Sequence, residues 1–319
     1  MASAEPRRLL LTGASSGIGL EAAKQMAARG HALTIVCRNQ ARADHTLRTL
    51  SGAAQILICD LADLDAVQVT TAQLLEQGVP LDALVLNAGL QYTGERQPRW
   101  SVQGIELTFA VNQLAHQVMA TALLPLLRAA SRPRVVITAS EVHNPDSGGG
   151  RVGKPAGLGD LSGLDHGVGA PMLDGSAVFD GDKAYKDSKL CNVLLARELN
   201  RRLAGTIPVM AWSPGLVIAR DSGGFFRYSR QQNPLGMAAF AFVARDLLRL
   251  TESLPRAGEL LAELCLDDAL ATPGFSYRSN QLLRPGVHRF EPVDTSAEAA
   301  DLAKAAALWN GSEALLASL

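Results

Sequence analysis

A phenol and an ammonium group lie four residues apart in the run YKDSK, which starts at Tyr185 and ends at Lys189. Residues at positions i and i+4 share one face of an α-helix, so the two groups are expected to lie side by side. A neighbouring cation favours the phenolate and is therefore expected to lower the pKa of Tyr185, which would prepare it to exchange a proton near neutral pH. The same ammonium could also hold ribose hydroxyls. The alternative is an ordinary exposed helix pair.

A glycine-rich turn, TGASSGIG, occupies residues 12–19 between an apolar run and a helical pattern. Glycines let the backbone approach a pyrophosphate closely, and the N-terminus of the following helix offers unpaired N–H groups and a positive dipole end. The strand–turn–helix context favours this reading over a plain turn. The predicted phosphate-binding residues are Gly13, Ser15, Ser16, Gly17, Ile18 and Gly19.

The choice between NAD and NADP depends on the residue at the end of the second apolar run, VCRN at residues 36–39. An NAD site places a carboxylate there, which accepts hydrogen bonds from the ribose hydroxyls. This chain has Arg38 instead, and a guanidinium can bind a 2′-phosphate through two hydrogen bonds. NADPH is therefore the predicted cofactor, with an ordinary solvated arginine as the alternative.

Polar and small residues also follow the third and fourth apolar runs. Asp60 and Leu61 are expected to contact the adenine, and Asn87, Ala88 and Gly89 are expected to lie near the nicotinamide ribose. Both segments come at carboxyl ends of predicted strands, where open α/β sheets bind their ligands.

Short, almost wholly apolar runs alternate with helical patterns, as in a parallel sheet covered by helices on both faces. The predicted strands are residues 8–11, 32–36, 55–59, 83–86, 134–138 and 209–212, and the clearest helices are residues 100–128 and 184–203. We therefore predict an α/β fold, a doubly wound parallel sheet of Rossmann type, with residues 1–319 forming one NADPH-binding domain.

Two segments interrupt this alternation. Residues 141–182 are rich in glycine and have few periodic apolar positions, and a loop of that length inside a compact domain is usually functional or disordered. Residues 215–254 follow the sixth strand and contain a very apolar helix at residues 237–243. We interpret the first segment as an insertion loop and the second as a lid over the substrate.

Composition excludes several classes of function. The net charge is −1 and aromatic residues make up 5%, which argues against a nucleic-acid partner. No signal peptide and no uncharged apolar run of about 18 residues is present, so we expect a cytoplasmic protein without a membrane span. Peripheral contact of the lid with a membrane stays open. No metal-ligand spacing is found among Cys37, Cys59, Cys191 and Cys265, which are expected to be buried thiols.

Taken in order, these motifs resemble those of the short-chain dehydrogenase/reductase superfamily. The matching elements are TGxxxGxG at residues 12–19, NAG at residues 87–89, Asn112, Ser140 and the pair Tyr185 and Lys189. The resemblance implies that Tyr185 is the proton donor and that Lys189 is its partner and the anchor of the ribose. It also implies that Ser140 orients the substrate and that Asn112 belongs to a proton relay.

A narrower resemblance follows from the 45 residues that separate Ser140 from Tyr185. The blocks LGDLSGL at residues 158–164 and FDGDKAYKDSKLCN at residues 179–192 resemble light-dependent protochlorophyllide reductases, as do PLDALV at residues 80–85 and the tail at residues 295–319. This resemblance implies that NADPH and light reduce the C17–C18 double bond of protochlorophyllide, a flat tetrapyrrole pigment. Leu216, Phe225, Phe226 and Phe240 of the lid would cover the pigment, with core packing as the alternative.

The chain departs from that family at two places. Residues 213–216 read SPGL where the family typically has YPGC, so a serine and a leucine replace its tyrosine and cysteine. The resemblance still implies that Pro214 and Gly215 line the cofactor site. Residues 113–116 read QLAH in place of HLGH, and we expect His116 to be a packed side chain.

Three functions remain open. The favoured one is a photoenzyme of chlorophyll or bacteriochlorophyll synthesis. The second is a light-independent carbonyl reductase that acts on an apolar ketone, aldehyde or alcohol, such as a retinoid-like compound. The third is a sensor that holds NADPH without turnover.

Overall fold

The computed structural model describes residues 5–220 and 225–319, so that residues 221–224 of the predicted lid lie outside the described part. Eight strands of the described chain form one sheet in the order β3-β2-β1-β4-β5-β6-β7-β8. The strands are β1 Arg8–Thr12, β2 Ala32–Cys37, β3 Ala54–Ile58, β4 Ala83–Leu86, β5 Arg134–Thr138, β6 Val209–Ser213, β7 Phe275–Arg284 and β8 Val287–Pro292. Only the β7–β8 pairing is antiparallel.

Helices cover both faces of this sheet, which confirms the predicted α/β class. The helices are α1 Gly17–Ala28, α2 Gln40–Thr49, α3 Leu64–Gln77, α4 Leu107–Phe109, α5 Ala115–Ala122, α6 Leu124–Arg128, α7 Ser162–His166, α8 Gly181–Arg202, α9 Arg227–Gln232, α10 Pro234–Ala241, α11 Leu254–Leu266, α12 Ala297–Ala300 and α13 Leu302–Ala317. Because side chains alternate along a strand, Leu9 and Leu11 pack against α1 and α11, whereas Leu10 packs on the opposite face with α3, α5 and α8.

Strand order reverses between β1 and β4, which lie side by side although β2 and β3 separate them in sequence. The connections from the carboxyl ends of β1 and β4 leave in opposite directions, and a crevice opens where they diverge. The glycine-rich turn and the run at residues 87–89 border this crevice, so the topology itself brings the two predicted cofactor segments together.

Several elements differ from the sequence expectation, among them α8, which begins at Gly181 and not at residue 184. The strands β7 and β8 were not predicted. The helix predicted for residues 100–128 begins only at Leu107, because Trp100 forms an antiparallel bridge with Glu106 around a turn in which Gly104 has φ +73°. The apolar helix expected at residues 237–243 is part of α10, which passes into a π-helical segment, Phe242–Leu247.

The insertion at residues 141–182 begins with a 3₁₀ turn, Glu141–His143, contains α7, and packs against the C-terminal helices. The N–H of Leu158 donates to Glu298 Oε1 at 3.0 Å, and Lys304 Nζ donates to the carbonyl of Gly159. The blocks at residues 158–164 and 295–319, which carried part of the family resemblance, therefore hold each other in place.

No helix of the described residues is long and apolar enough to cross a membrane. The four cysteines are free and buried, as expected.

Candidate active site

The glycine-rich turn brings two backbone segments closer than any side chain would allow. A Cβ on Gly13 would lie 2.6 Å from the Cα of Ala88, and one on Gly19 would lie 2.4 Å from the carbonyl oxygen of Gly13. Ser16, the residue that precedes α1, makes no side-chain cap, so the first N–H groups of the helix face the crevice without an internal acceptor. These features fit the pyrophosphate of a dinucleotide, which needs close backbone and helix N–H groups.

Thr12 and Asn87 tie this turn to the segment after β4. The hydroxyl of Thr12 accepts hydrogen bonds from the N–H groups of Asn87 at 2.9 Å and of Ala88 at 3.0 Å. The Asn87 side chain donates to the carbonyls of Thr12 and Gly13, and its oxygen accepts from the Thr138 hydroxyl at 3.0 Å. The ends of β1, β4 and β5 are thereby fixed relative to one another.

Asn112 lies in a π-helical segment, Ala110–Leu114, between α4 and α5. Such widened turns occur often at functional sites, because they redirect one side chain and release one backbone group. The Asn112 amide accepts from the N–H of Leu90 at 2.9 Å and donates to the carbonyl of Leu90 and the hydroxyl of Ser188, both at 3.0 Å. It therefore connects the loop after β4 to α8.

Lys189 is 3% exposed and projects from α8 toward the ends of the strands. Its Nζ atom donates to the carbonyl of Thr138 at 2.8 Å and to the side-chain oxygen of Asn192 at 3.2 Å. Burial lowers the pKa of Lys189 to about 7. The Asn192 amide continues to the carbonyl of Asn112 at 2.6 Å, so Asn192 links the lysine to the π-helical segment.

The prediction that Lys189 lowers the pKa of Tyr185 was wrong. Burial raises the pKa of Tyr185, the Ser140 hydroxyl acts in the opposite direction, and the nearby Glu141 carboxylate raises it further. Lys189 has little influence because its ammonium is directed at Thr138 and Asn192 and lies 5.8 Å from the centre of the phenol ring. Tyr185 therefore stays protonated near neutral pH, which suits a proton donor.

Ser140 lies two residues after the end of β5 and faces the same phenol. Its hydroxyl accepts from the N–H of Val142 at 3.4 Å, and its carbonyl accepts from Nδ1 of His143 at 2.7 Å. The structure thus brings together the four predicted catalytic residues, Ser140, Tyr185, Lys189 and Asn112, at the carboxyl ends of β4 and β5.

The residues predicted to bind the adenosine half lie along the carboxyl ends of β2 and β3. Arg38 is exposed and comes directly after β2, beside the start of α2. Asp60 follows β3, where its carboxylate accepts from the N–H of Ala62 at 3.1 Å, and Leu61 is buried against the helix layer. A guanidinium at this edge fits a 2′-phosphate.

The segment after β6 turns back toward β7. Gly215 has φ +75°, and a Cβ there would lie 2.6 Å from the carbonyl oxygen of Asn280. The carbonyl of Pro214 accepts from the Asn280 side chain at 3.3 Å. Leu216 packs against the small lid cluster of Ile218, Ala241 and Ala244.

The aromatic residues predicted to cover the substrate have different positions. Phe225 lies 5.1 Å from the ring of Tyr185, and Phe226 lies edge-on to Phe225 at 5.0 Å. Phe240, on α10, is 45% exposed and lies outside this aromatic contact. The structure thus joins Phe225 and Phe226 to the catalytic phenol but not Phe240.

The sequence FDGDKAYKDSKLCN at residues 179–192 carries Tyr185 and Lys189, and its other charged residues also hold the insertion in place. Lys183 forms an ion pair of 2.6 Å with Asp187, and both contact the backbone of Gly157 in the insertion. Lys186 donates to the carbonyls of Gly150, Val152 and Lys154. Charged groups on α8 therefore secure the insertion beside Tyr185.

His116 is buried, as expected, with Nε2 3.2 Å from the Thr12 hydroxyl. Burial and the proximity of Lys189 lower the pKa of His116 to about 3, so it is neutral and packed. Sequence reasoning did not identify Asn192, although it lies three residues after Lys189 and so on the same helix face. It also did not identify Thr12, whose hydroxyl joins the two cofactor segments.

Comparisons with known proteins agree with this geometry. Residues 7–149 match the family model described as short chain dehydrogenase. The chain is 35% identical to chloroplast protochlorophyllide reductase A of Oryza sativa, with 97% of this chain and 80% of that protein covered.

Among solved structures, an uncharacterised protein from Mycobacterium paratuberculosis is 26% identical with a TM-score of 0.67, covering 99% of this chain and 97% of that one. A short-chain dehydrogenase of Escherichia coli in complex with NADPH is 24% identical, with a TM-score of 0.58 and coverage of 86% and 97%, and shows the shared fold.

Proposed function

The chain belongs to the short-chain dehydrogenase/reductase family and is an NADPH-dependent oxidoreductase, and we propose that it reduces the C17–C18 double bond of protochlorophyllide in a light-driven reaction. The observation that carries the proposal is the extent of the similarity. At 97% coverage, the match to a protochlorophyllide reductase runs through the insertion at residues 141–182 and the lid, the segments next to the candidate substrate site.

The residues of the site have complementary roles in this proposal. NADPH, when bound, supplies a hydride to one carbon of the double bond. The Tyr185 hydroxyl would give a proton to the other carbon, which completes the saturation of the bond, and solvent would reprotonate the phenolate that remains. A phenol whose pKa is raised by burial holds that proton until it is needed. Asn112 and Lys189 fix the position of α8 and hence of Tyr185.

Light provides the driving force for such a reaction, so the protein contributes positioning and exclusion of water. Phe225 lies against the Tyr185 ring, and Phe226 extends that contact. Flat aromatic side chains are suited to pack against a conjugated ring system. They would hold the pigment over the phenol and keep water away from the reacting carbons.

A light-independent carbonyl reductase is the second candidate. Ser140 and Tyr185 face one another, and two hydroxyl groups beside one carbonyl oxygen would polarise it for hydride addition. The leucine at position 216, where the related family typically has a cysteine, also favours this candidate. Turnover of any substrate would exclude the third possibility, a sensor that only holds NADPH.

The test mixes purified protein with NADPH and protochlorophyllide in the dark and follows absorbance before and after light flashes. We expect a red-shifted pigment band that converts to chlorophyllide only on illumination, and conversion slower by at least about 10²-fold with Tyr185→Phe. Absence of both pigment binding and conversion would contradict the proposal. A panel of apolar ketones and aldehydes would then test the carbonyl reductase.

A further inference from the structure

Two arginine side chains flank a single tyrosine at the edge of the candidate substrate site. The guanidinium carbon of Arg227 lies 4.5 Å from the ring centre of Tyr228, and that of Arg99 lies 4.6 Å from it. Arg227 also donates through Nη2 to the Tyr228 hydroxyl at 2.9 Å. Cation–π contacts of this kind hold guanidinium groups in place while leaving their N–H donors available.

The charges around Tyr228 do not balance. Arg99 forms an ion pair with Glu95, whereas no carboxylate of residues 5–220 or 225–319 forms an ion pair with Arg227. Glu95 neutralises Arg99, so the positive charge of the half-buried Arg227 remains without a carboxylate among the described residues. Such a charge is expected to attract an anion, and a guanidinium matches a carboxylate through two parallel hydrogen bonds.

This pair of arginines is connected to the candidate catalytic phenol through neighbouring residues. Tyr228 packs against the cluster of Tyr92, Phe179 and Ala184, and Ala184 is the residue before Tyr185. Two residues before Arg227, the ring of Phe225 lies 5.1 Å from the ring of Tyr185. The lid therefore presents an apolar aromatic surface at the phenol and a positive charge a short distance away.

Buried polar contacts hold this part of the lid against the body of the protein. Gln91 is 1% exposed and donates to the Ser229 hydroxyl at 2.9 Å, which returns a hydrogen bond of 3.3 Å to the Gln91 oxygen. The N–H of Thr93 donates to the same oxygen at 2.7 Å. Since Ser229 follows Tyr228 directly, the position of both arginines is set by the fold.

We propose that Arg227, supported by Arg99, binds a carboxylate of the substrate, so that the site takes flat conjugated molecules that carry an acid group. The inference deepens the proposed function, because protochlorophyllide carries a free propionic acid beside its ring system. It also distinguishes between substrates, since an ester of the same ring system would lack the anion that Arg227 recognises.

The test uses matched pairs of acid and ester with NADPH in the dark. Fluorescence anisotropy compares pyrenebutyric acid with its methyl ester, and pigment absorbance compares protochlorophyllide with its methyl ester. We expect wild type to bind each acid about tenfold more tightly than its ester. Arg227→Gln should bind the acid and the ester equally, and Arg227→Lys should restore part of the preference.

Arg220→Gln is the matched control. It removes an arginine of the same lid whose side chain is 76% exposed and already paired with Asp246 at 2.9 Å. This variant should keep the wild-type preference for acids. Unchanged affinity for NADPH in all variants would show that they are folded.

Equal binding of acid and ester by wild type, binding of neither pyrene probe, or an acid preference that persists in Arg227→Gln would overturn the inference. Pigment conversion without any acid preference would leave the proposed function standing and remove this inference. An acid preference for the pyrene probe that depends on Arg227, without pigment conversion, would support this inference and contradict the proposed function.

Discussion

The ammonium of Lys189 lies 2.8 Å from the carbonyl oxygen of Thr138, the last residue of β5. This contact directs the lysine to the end of the sheet instead of to the Tyr185 hydroxyl. It also buries the amine where few groups compensate its charge, and its pKa falls to about 7.

That low pKa makes stability depend on pH. Between pH 7 and about 10 the unfolded chain binds a proton at Lys189 that the folded protein does not bind, so the free energy of unfolding rises with pH. Relative to Lys189→Met, wild type should gain up to about 1.4 kcal/mol per pH unit across this range. Urea unfolding of both proteins at pH 7, 8 and 9 measures the difference. Parallel curves would show that the amine keeps its usual pKa when folded.

Removal of the Tyr185 hydroxyl should abolish proton donation and little else. Tyr185→Phe keeps the ring contact with Phe225, so substrate and NADPH should bind nearly as in wild type. Turnover should fall by about 10²- to 10⁴-fold, the usual contribution of a positioned general acid. Single-turnover kinetics and NADPH titration separate the two effects. An undiminished rate would assign the proton to another group.

Much of the sheet could be predicted because β1, β4, β5 and β6 are almost completely buried and therefore nearly all apolar. The cofactor turn was equally accessible to sequence reasoning, since close backbone approach restricts residues such as Gly13 and Gly19 to glycine. Burial of a strand and close approach of two backbones each restrict the residue types at neighbouring positions, so both can be recognised in the sequence.

Other features depend on contacts that sequence spacing does not reveal. The strand β7 mixes buried residues such as Tyr277 and Asn280 with exposed ones, so it lacks the apolar run that marked the other strands. The direction of the Lys189 ammonium is set by the carbonyl of Thr138, 51 residues away. The contact of Arg99 with Tyr228 likewise forms only when the lid packs on the loop after β4.

The position of Arg38 at the end of β2 predicts how the enzyme distinguishes its cofactors. Arg38→Ala should weaken NADPH binding by about 10- to 100-fold, because charge-assisted hydrogen bonds to a phosphate are worth about 1.5–3 kcal/mol. NADH lacks the 2′-phosphate, so its affinity should barely change. Arg48→Ala, which removes another exposed arginine at the far end of α2, is the control. An equal loss for both cofactors would mean that Arg38 does not contact the 2′-phosphate.

The ion pair between Lys183 and Asp187 predicts a stability effect that comes from the insertion. Asp187 is 1% exposed, and burial raises its pKa to about 7 despite the attraction of Lys183 at 2.6 Å. Lys183→Met removes the cation and leaves a buried carboxylate, which should lower the free energy of unfolding by about 3–5 kcal/mol near pH 8. The loss should shrink at pH 5.5, because Asp187 can then take up a proton.

Two further variants separate this mechanism from a general effect of losing a lysine. The double variant Lys183→Met, Asp187→Asn should recover part of the loss at pH 8, since the most buried carboxylate is gone and only Asp174, 17% exposed and 3.1 Å from the Lys183 ammonium in wild type, still lacks its cation. Lys154→Met breaks an ion pair with Asp180 whose lysine is 62% exposed, and it should cost less than about 1 kcal/mol. Chemical denaturation of all three proteins at both pH values measures these differences. A loss in Lys183→Met that is the same at pH 5.5 and pH 8 would show that the destabilisation does not come from an unpaired Asp187 carboxylate.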